Sequence, residues 1–296
     1  MKQILFAAAL LAVASTFASS PVHARPAQEP KLQFPAASPS ASFTENIGLT
    51  GITVEYARPG VKGRKIFGGL VPYGEVWRTG ANSTTKITFT TDVNFGGTAV
   101  PPGSYGLFTI PGEKEWTVIL NKVVAWGAYS YDAKNDVARV KVKPAALPES
   151  LETMTISLSD VRDDSAQLSI AWEKTRVSVK IETDTVNVVK EQIDAAMAGD
   201  GKKPYFQAAM FYYEHDLDIK KAVTWIDAAI KEAPEPQVWV IYRKGLVMKK
   251  AGDKAAALEA AKQALDLAEK ALAKPDTAAL GTEYKHLSEA LIASLK

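Results

Sequence analysis

The chain has 296 residues, 47% of them apolar and 23% charged, with a formal net charge of +2. That length holds two domains with a hydrophobic core each, and so mild a charge gives no reason to expect a nucleic-acid partner. There is no cysteine, which excludes disulfides, thiol nucleophiles, Cys-ligated zinc and an acylated lipoprotein cysteine.

The first segment, 1–24, reads as a signal peptide. Lys2 supplies the positive start, Ile4–Ala14 is a short apolar run, and Val22-His23-Ala24 fits a small-x-small cleavage site. The run falls short of the roughly 20 residues that span a bilayer, so no transmembrane segment is expected after cleavage. The expected location is periplasmic or secreted. Residues 25–42, rich in Pro, Ala and Ser, read as a flexible linker.

From 43 to 182 the pattern is β almost throughout. Ile52, Val54 and Tyr56 alternate with polar or small residues, as do Ile87 and Phe89. Gly96-Gly97 after Asp92–Phe95 marks a hairpin, because both glycines accept positive φ. Val100-Pro101-Pro102-Gly103 and Pro111-Gly112 mark further turns. Ser104–Ile110, Trp116–Asn121, Val137–Val142, Met154–Leu158, Ala166–Trp172 and Arg176–Ile181 complete about nine short strands. Two sheets that each bury one face against the other give an antiparallel, jelly-roll-like β-sandwich.

After 182 the period changes to that of helices. Val186, Val189, Ile193 and Ala196 share one helical face that ends near Gly199. Further helices are expected over Pro204–Glu214, from an Asp218 cap to about Ala233, from Pro236 to Ala251, from an Asp253 cap to about Ala273, and over Thr277–Leu295. Asp218, Ala222, Ile226 and Ala229 recur 35 residues later as Asp253, Ala257, Ala261 and Ala264. Helix pairs at that period, with small residues at the crossings, resemble tetratricopeptide repeats; a plain helical bundle is the alternative. The expected fold class is thus α+β multidomain, with a β-sandwich at 43–182 and an all-α helical-hairpin region at 183–296.

The histidines are His23, His215 and His286, so after signal removal the β region has none for a catalytic triad or a metal site. Phe67-Gly68-Gly69 lacks the Gly-Lys-Ser/Thr of a phosphate-cradling loop. No catalytic residue, cofactor or metal ligand is assigned. What stands out is Val71–Asn82, which gathers Tyr73, Gly74, Glu75, Trp77, Arg78 and Gly80. Between Glu55 and Lys86 six cations (Arg58, Lys62, Arg64, Lys65, Arg78, Lys86) face two acids (Glu55, Glu75), a local excess of four. An arginine fork suits a carboxylate, sulfate or phosphate, and exposed aromatics stack on sugars or planar groups. The residues expected at a ligand-contacting rim are therefore Arg58, Lys62, Arg64, Tyr73, Glu75, Trp77, Arg78, Asn82 and Trp126. The opposing expectation is that Arg78 pairs with Glu75 or Glu55 and Trp77 is a core anchor.

Two stretches resemble a known family. Val-Glu-Tyr-Ala-Arg-Pro at Val54–Pro59 with Phe-Gly-Gly-Leu-Val-Pro-Tyr-Gly-Glu-Val-Trp-Arg-Thr-Gly-Ala-Asn at Phe67–Asn82 is one, and Pro-Gly-Ser-Tyr-Gly-Leu-Phe-Thr-Ile-Pro at Pro102–Pro111 is the other. Together with Glu115–Ile119 and Trp126-Gly127 they are similar to a bacterial family catalogued as domain of unknown function 2911. The resemblance implies an exported β domain, and it transfers no catalytic residue because the family carries no established activity. The functional expectation is a non-enzymatic ligand-binding or scaffold protein of the cell envelope. An anionic or carbohydrate ligand would sit at the sandwich rim. A protein partner would sit on the helices, where Tyr205, Phe206, Tyr212, Trp225, Trp239 and Tyr242 supply aromatic surface. The alternative is a carbohydrate-active hydrolase with carboxylates at the Arg58/Glu75/Arg78 rim, a chemistry that needs two carboxyl groups about 5–10 Å apart.

Overall fold

A computed structural model describes residues 34–296; the expected signal segment, its cleavage site and the first half of the linker lie outside the described residues. The first strand, β1 (Ser40–Ile47), starts three residues before the expected boundary at Phe43 and takes in the end of the expected linker. It pairs with β2 (Thr50–Ala57) through a turn at Gly48, whose φ of +54° suits glycine. After a long excursion come β3 (Thr85–Phe89), β4 (Val93–Phe95), β5 (Thr98–Val100), β6 (Gly103–Ile110), β7 (Trp116–Asn121), β8 (Asp136–Val142), β9 (Ala145–Ser159) and β10 (Ser165–Glu182).

Among the described residues the strands of both sheets pair antiparallel throughout. One sheet runs β1-β2-β3-β6-β7-β8 and the other β5-β4-β10-β9. Their inner faces share one core, in which Ile52, Val54, Ile87, Phe89, Leu107 and Val118 of the first sheet meet Phe95, Ile156, Leu168, Ile170 and Val179 of the second. The β4–β5 hairpin turns at Gly96-Gly97 as expected, with φ of +54° and +94°. Between the sheets the Tyr56 hydroxyl donates to the Ile156 carbonyl (3.3 Å) and accepts from the Ile156 amide (3.1 Å).

Two expectations are corrected. Ala166–Trp172 and Arg176–Ile181 are one strand, β10. The residues between them carry no turn chemistry, so the chain passes Ala171–Thr175 through register shifts with Glu173 at φ +53°. β9 begins at Ala145 instead of Met154, and Pro148 is accommodated in the stretch where pairing with β10 is irregular.

The excursion from Arg58 to Thr84 closes one end of the sandwich. Val61, Ile66, Phe67, Val71 and Trp77 all turn into the core. Phe67 meets Trp116 edge-on at 4.7 Å and Trp172 at 6.3 Å, and Trp77 stacks on Trp172 at 5.9 Å with an interplanar angle of 20°. Trp77 is held on both sides: its amide donates to the Thr109 carbonyl, the Thr109 amide donates back, and its indole Nε1 donates to the Gly80 carbonyl at 3.0 Å.

Six helices follow: α1 (Thr185–Ala198), α2 (Tyr205–Glu214), α3 (Ile219–Glu232), α4 (Val238–Lys250), α5 (Lys254–Leu272) and α6 (Ala278–Ala293). The two copies of the repeat start on side-chain caps, with the Asp218 carboxylate accepting from the Lys220 amide and that of Asp253 from the Ala256 amide, both at 2.9 Å. The repeated small residues lie at the crossings: Ala222, Ala257, Ala261 and Ala264 are fully buried. At Gly245 in α4 a Cβ would come within 2.9 Å of the Leu291 side chain and 3.4 Å of the Ala257 carbonyl, so α4 and α5 pack closely there and a larger residue would push Leu291 aside. Of the aromatics expected to face a partner, Tyr212 and Trp225 pack edge-on at 4.8 Å. Phe206 is partly buried beside them, Tyr205 and Tyr242 are half-buried, and only Trp239 is exposed.

Removing the Trp77 ring opens the aromatic plug. Trp77→Ala is expected to lose about 3–5 kcal/mol in urea denaturation, whereas Glu75→Ala, on the exposed turn beside it, should stay within about 0.5 kcal/mol of the parent. Asp253→Ala removes one cap and should cost about 1 kcal/mol in the same measurement.

Candidate functional site

The nine residues expected at one rim fall into separate places. Arg58 is half-buried and donates from Nε to the Met154 carbonyl (3.0 Å) and from a terminal nitrogen to Thr155 Oγ1 (2.9 Å), which ties the excursion to β9. The Lys62 amide donates to the Glu152 carboxylate at 2.9 Å. Arg64 folds back on its own turn, onto the carbonyls of Val61 and Gly60. These three cations therefore gather beside β9, and the two arginines are engaged by protein oxygens.

Tyr73 is exposed at another point of the rim, beside a cleft of about 210 Å³ shared with Phe67, Trp116, Glu113 and Lys174. Glu75 is exposed on the Gly74 turn, and Glu55 is ion-paired with Lys86 on the outer face of β2 and β3. Glu55 and Glu75, the two acids of the charged stretch, are thus held by different elements, with Trp77 buried in the core between the sheets.

The backbones that carry Arg78, Asn82 and Trp126 are brought together. The paired backbones of Trp77 and Thr109 place Arg78 opposite Phe108 in register, and alternation turns both side chains away from the core to the outer face of the six-stranded sheet. The segment between β7 and β8 folds over the same face. Tyr131 packs on Phe108 at 5.2 Å, and a Cβ at Gly106 would collide with the Val123 carbonyl. The two segments are stapled. The Thr84 amide donates to the Ala125 carbonyl (2.9 Å), Thr84 Oγ1 donates to the same oxygen (2.8 Å), and the Gly127 amide donates to the Asn82 carbonyl (3.2 Å). Ser83 and Trp126 form a β-bridge, and the Thr85 amide donates to the Arg78 carbonyl to close the turn. Asn82 has a φ of +61°, a left-handed conformation that asparagine tolerates.

Trp126 is 61% exposed and Tyr129 is 81% exposed on this segment. Arg78 is half-buried, and its Nε is shielded from solvent with no acceptor. Among the described residues its guanidinium pairs with neither Glu75 nor Glu55, so the expected neutralising pair is not formed. Buried donors are almost always satisfied in folded proteins, so the Arg78 Nε stands out among the described residues.

The anchors of the segment escaped the sequence reading. Asn121 is fully buried, donates to the Asp132 carbonyl (3.0 Å) and to the Asp136 carboxylate (2.7 Å), and accepts from the Val123 amide (2.9 Å). Asp136 also accepts from the Tyr131 hydroxyl (2.8 Å) and from Arg139 (2.6 Å). Burial, and then the Asp136 hydrogen bond, raises the Tyr131 phenol above its ordinary value. The signal was present as unbroken apolar runs. Leu107-Phe108 and Val118-Ile119-Leu120 do not alternate, and both faces of a sheet must be covered where that happens. Among the described residues no three His, Asp or Glu side chains gather to hold a metal ion.

Residues 38–181 match a family model described as protein of unknown function (DUF2911). No curated protein and no solved structure matches the chain.

Because Tyr131 is held in its protonated form, its share of stability is fully present below the ordinary phenol value of about 10 and is lost as pH rises through the raised folded value. The segment should stay closed through neutral pH and loosen only in strong alkali. Tyrosinate absorbance of the parent minus Tyr131→Phe reports this titration. The same variant should be nicked faster by protease within 122–131 at neutral pH, because the hydroxyl links to Asp136 and Arg139 are gone.

Proposed function

We propose that this chain, whose residues 38–181 match the DUF2911 family model, is an exported binding protein of the cell envelope. Its sandwich takes an anionic or carbohydrate ligand, and its helices take a protein partner. The observation that carries the ligand reading is the half-buried Arg78 fork without a protein acceptor, one residue from a core tryptophan and stapled to a segment with an exposed indole. Arg58 and Arg64 in the same excursion donate to protein oxygens, so an unused fork is not the habit of this region. The export reading rests on the N-terminal pattern Lys2, Ile4–Ala14 and Val22-His23-Ala24. The partner reading rests on stacked helix pairs, which present an extended surface of their own. A cleft of about 510 Å³ lined by Tyr205, Phe206, Lys203 and Glu232 lies on that surface.

A thermal-shift screen of the full chain against small anions and sugars tests the ligand reading. A ligand at about 100 times its Kd stabilises the folded state by about 2.7 kcal/mol. That stabilisation is expected in the parent and expected to vanish in a folded Arg78→Ala variant. A stabilising ligand that is indifferent to Arg78→Ala would place binding elsewhere. For export, expression in a bacterial host should yield a periplasmic product whose mass begins at Arg25.

A further inference from the structure

We propose that the ligand of the Arg78 surface is an acidic saccharide, a sugar ring carrying a carboxylate, held between the Arg78 fork and the Trp126 indole. This deepens the reading of Arg78 given above and rests on it. Three features set the chemistry. A guanidinium matches a carboxylate with two parallel N–H donors, and within the described residues no ion pair or side-chain hydrogen bond engages the half-buried Arg78 fork. The Nε edge is shielded, so a carboxylate would meet the fork through its two outer nitrogens.

The indole supplies the second feature. Trp126 stands 61% exposed on a backbone bridged to Ser83, so a flat apolar face is held beside the arginine turn instead of being folded into the core. Such a face suits the C–H side of a sugar ring, as the rim of a polar ligand does not need and a bare inorganic anion cannot use. Asn82 supplies the third. Its left-handed backbone lies between the two, its carbonyl is taken by Gly127, and its side-chain amide makes no hydrogen bond within the described residues. One amide offers both a donor and an acceptor, which is what a ring hydroxyl requires. A charged fork, an apolar platform and a two-way amide on two stapled segments fit an acidic sugar better than a bare anion or a neutral glycan.

Titration calorimetry of the full chain with trigalacturonate, its fully methyl-esterified form and inorganic phosphate tests this. Trigalacturonate is expected to bind, and the neutral ester to bind at least tenfold more weakly. Arg78→Gln is expected to weaken trigalacturonate binding about 10- to 100-fold, the range for one charge-assisted hydrogen-bonding group. Trp126→Ala, which removes an exposed ring and leaves the core intact, should weaken it about tenfold and serves as the test if Arg78→Gln does not fold. Equal binding of the acid and its ester would overturn the proposal, as would trigalacturonate binding that is indifferent to both variants. Arg78-dependent binding of phosphate with none of trigalacturonate would overturn the saccharide class while leaving the anionic-ligand reading standing. Binding of none of the three probes would overturn the acidic-saccharide proposal.

Discussion

The stacking of Trp77 on Trp172, with Phe67 set edge-on to both and to Trp116, is the constraint on which the β region depends. A two-sheet sandwich has open ends, and here an irregular excursion between β2 and β3 closes one of them by burying its own aromatics. The excursion has few ladder hydrogen bonds, so this packing, with the backbone exchange between Trp77 and Thr109, fixes where its other residues fall. Arg58 is drawn onto β9, Tyr73 is left at the end cleft, and Arg78 is turned out across the sheet. A loop dense in special residues is in this case first a piece of core.

That is also why the site was only partly legible in the sequence. Regular elements announce themselves by period. The alternation at Ile52–Tyr56, the Gly96-Gly97 turn and the Asp218 and Asp253 caps all recur in the structure, because each is decided within a few neighbouring residues. The destination of Trp77 or Arg64 depends on what stands opposite after folding, and no local pattern encodes it. The grouping of Arg78, Asn82 and Trp126 depends on contacts between residues more than 40 positions apart in the chain, such as Thr84 with Ala125 and Gly127. The outer-face cover was encoded, but as an exception: Phe108 and Ile119 break the alternation that otherwise identifies the strands. The merger of two expected strands into β10 has the same origin, since a bulge at Glu173 replaces a turn without changing composition.

The outer-face segment is built on different terms from the excursion. Its strength is polar: Asn121, Asp136, Tyr131 and Arg139 hold it from one end, and the Thr84 and Asn82 backbones hold it from the other. Buried polar networks of this kind are geometrically specific, because each member has its partners in fixed directions. Such a frame holds the segment's path while leaving Trp126 and Tyr129 at its surface.

The adjacency of Trp77 and Arg78 has a consequence for how this surface can diversify. Any backbone shift that re-aims the arginine also moves a ring that closes the core, so re-aiming it costs folding stability. Trp126 and Tyr129 carry no such burden. Sequence change would be tolerated more readily on the 122–131 ribbon than at the tryptophan–arginine pair, one serving as interchangeable surface and the other as chassis.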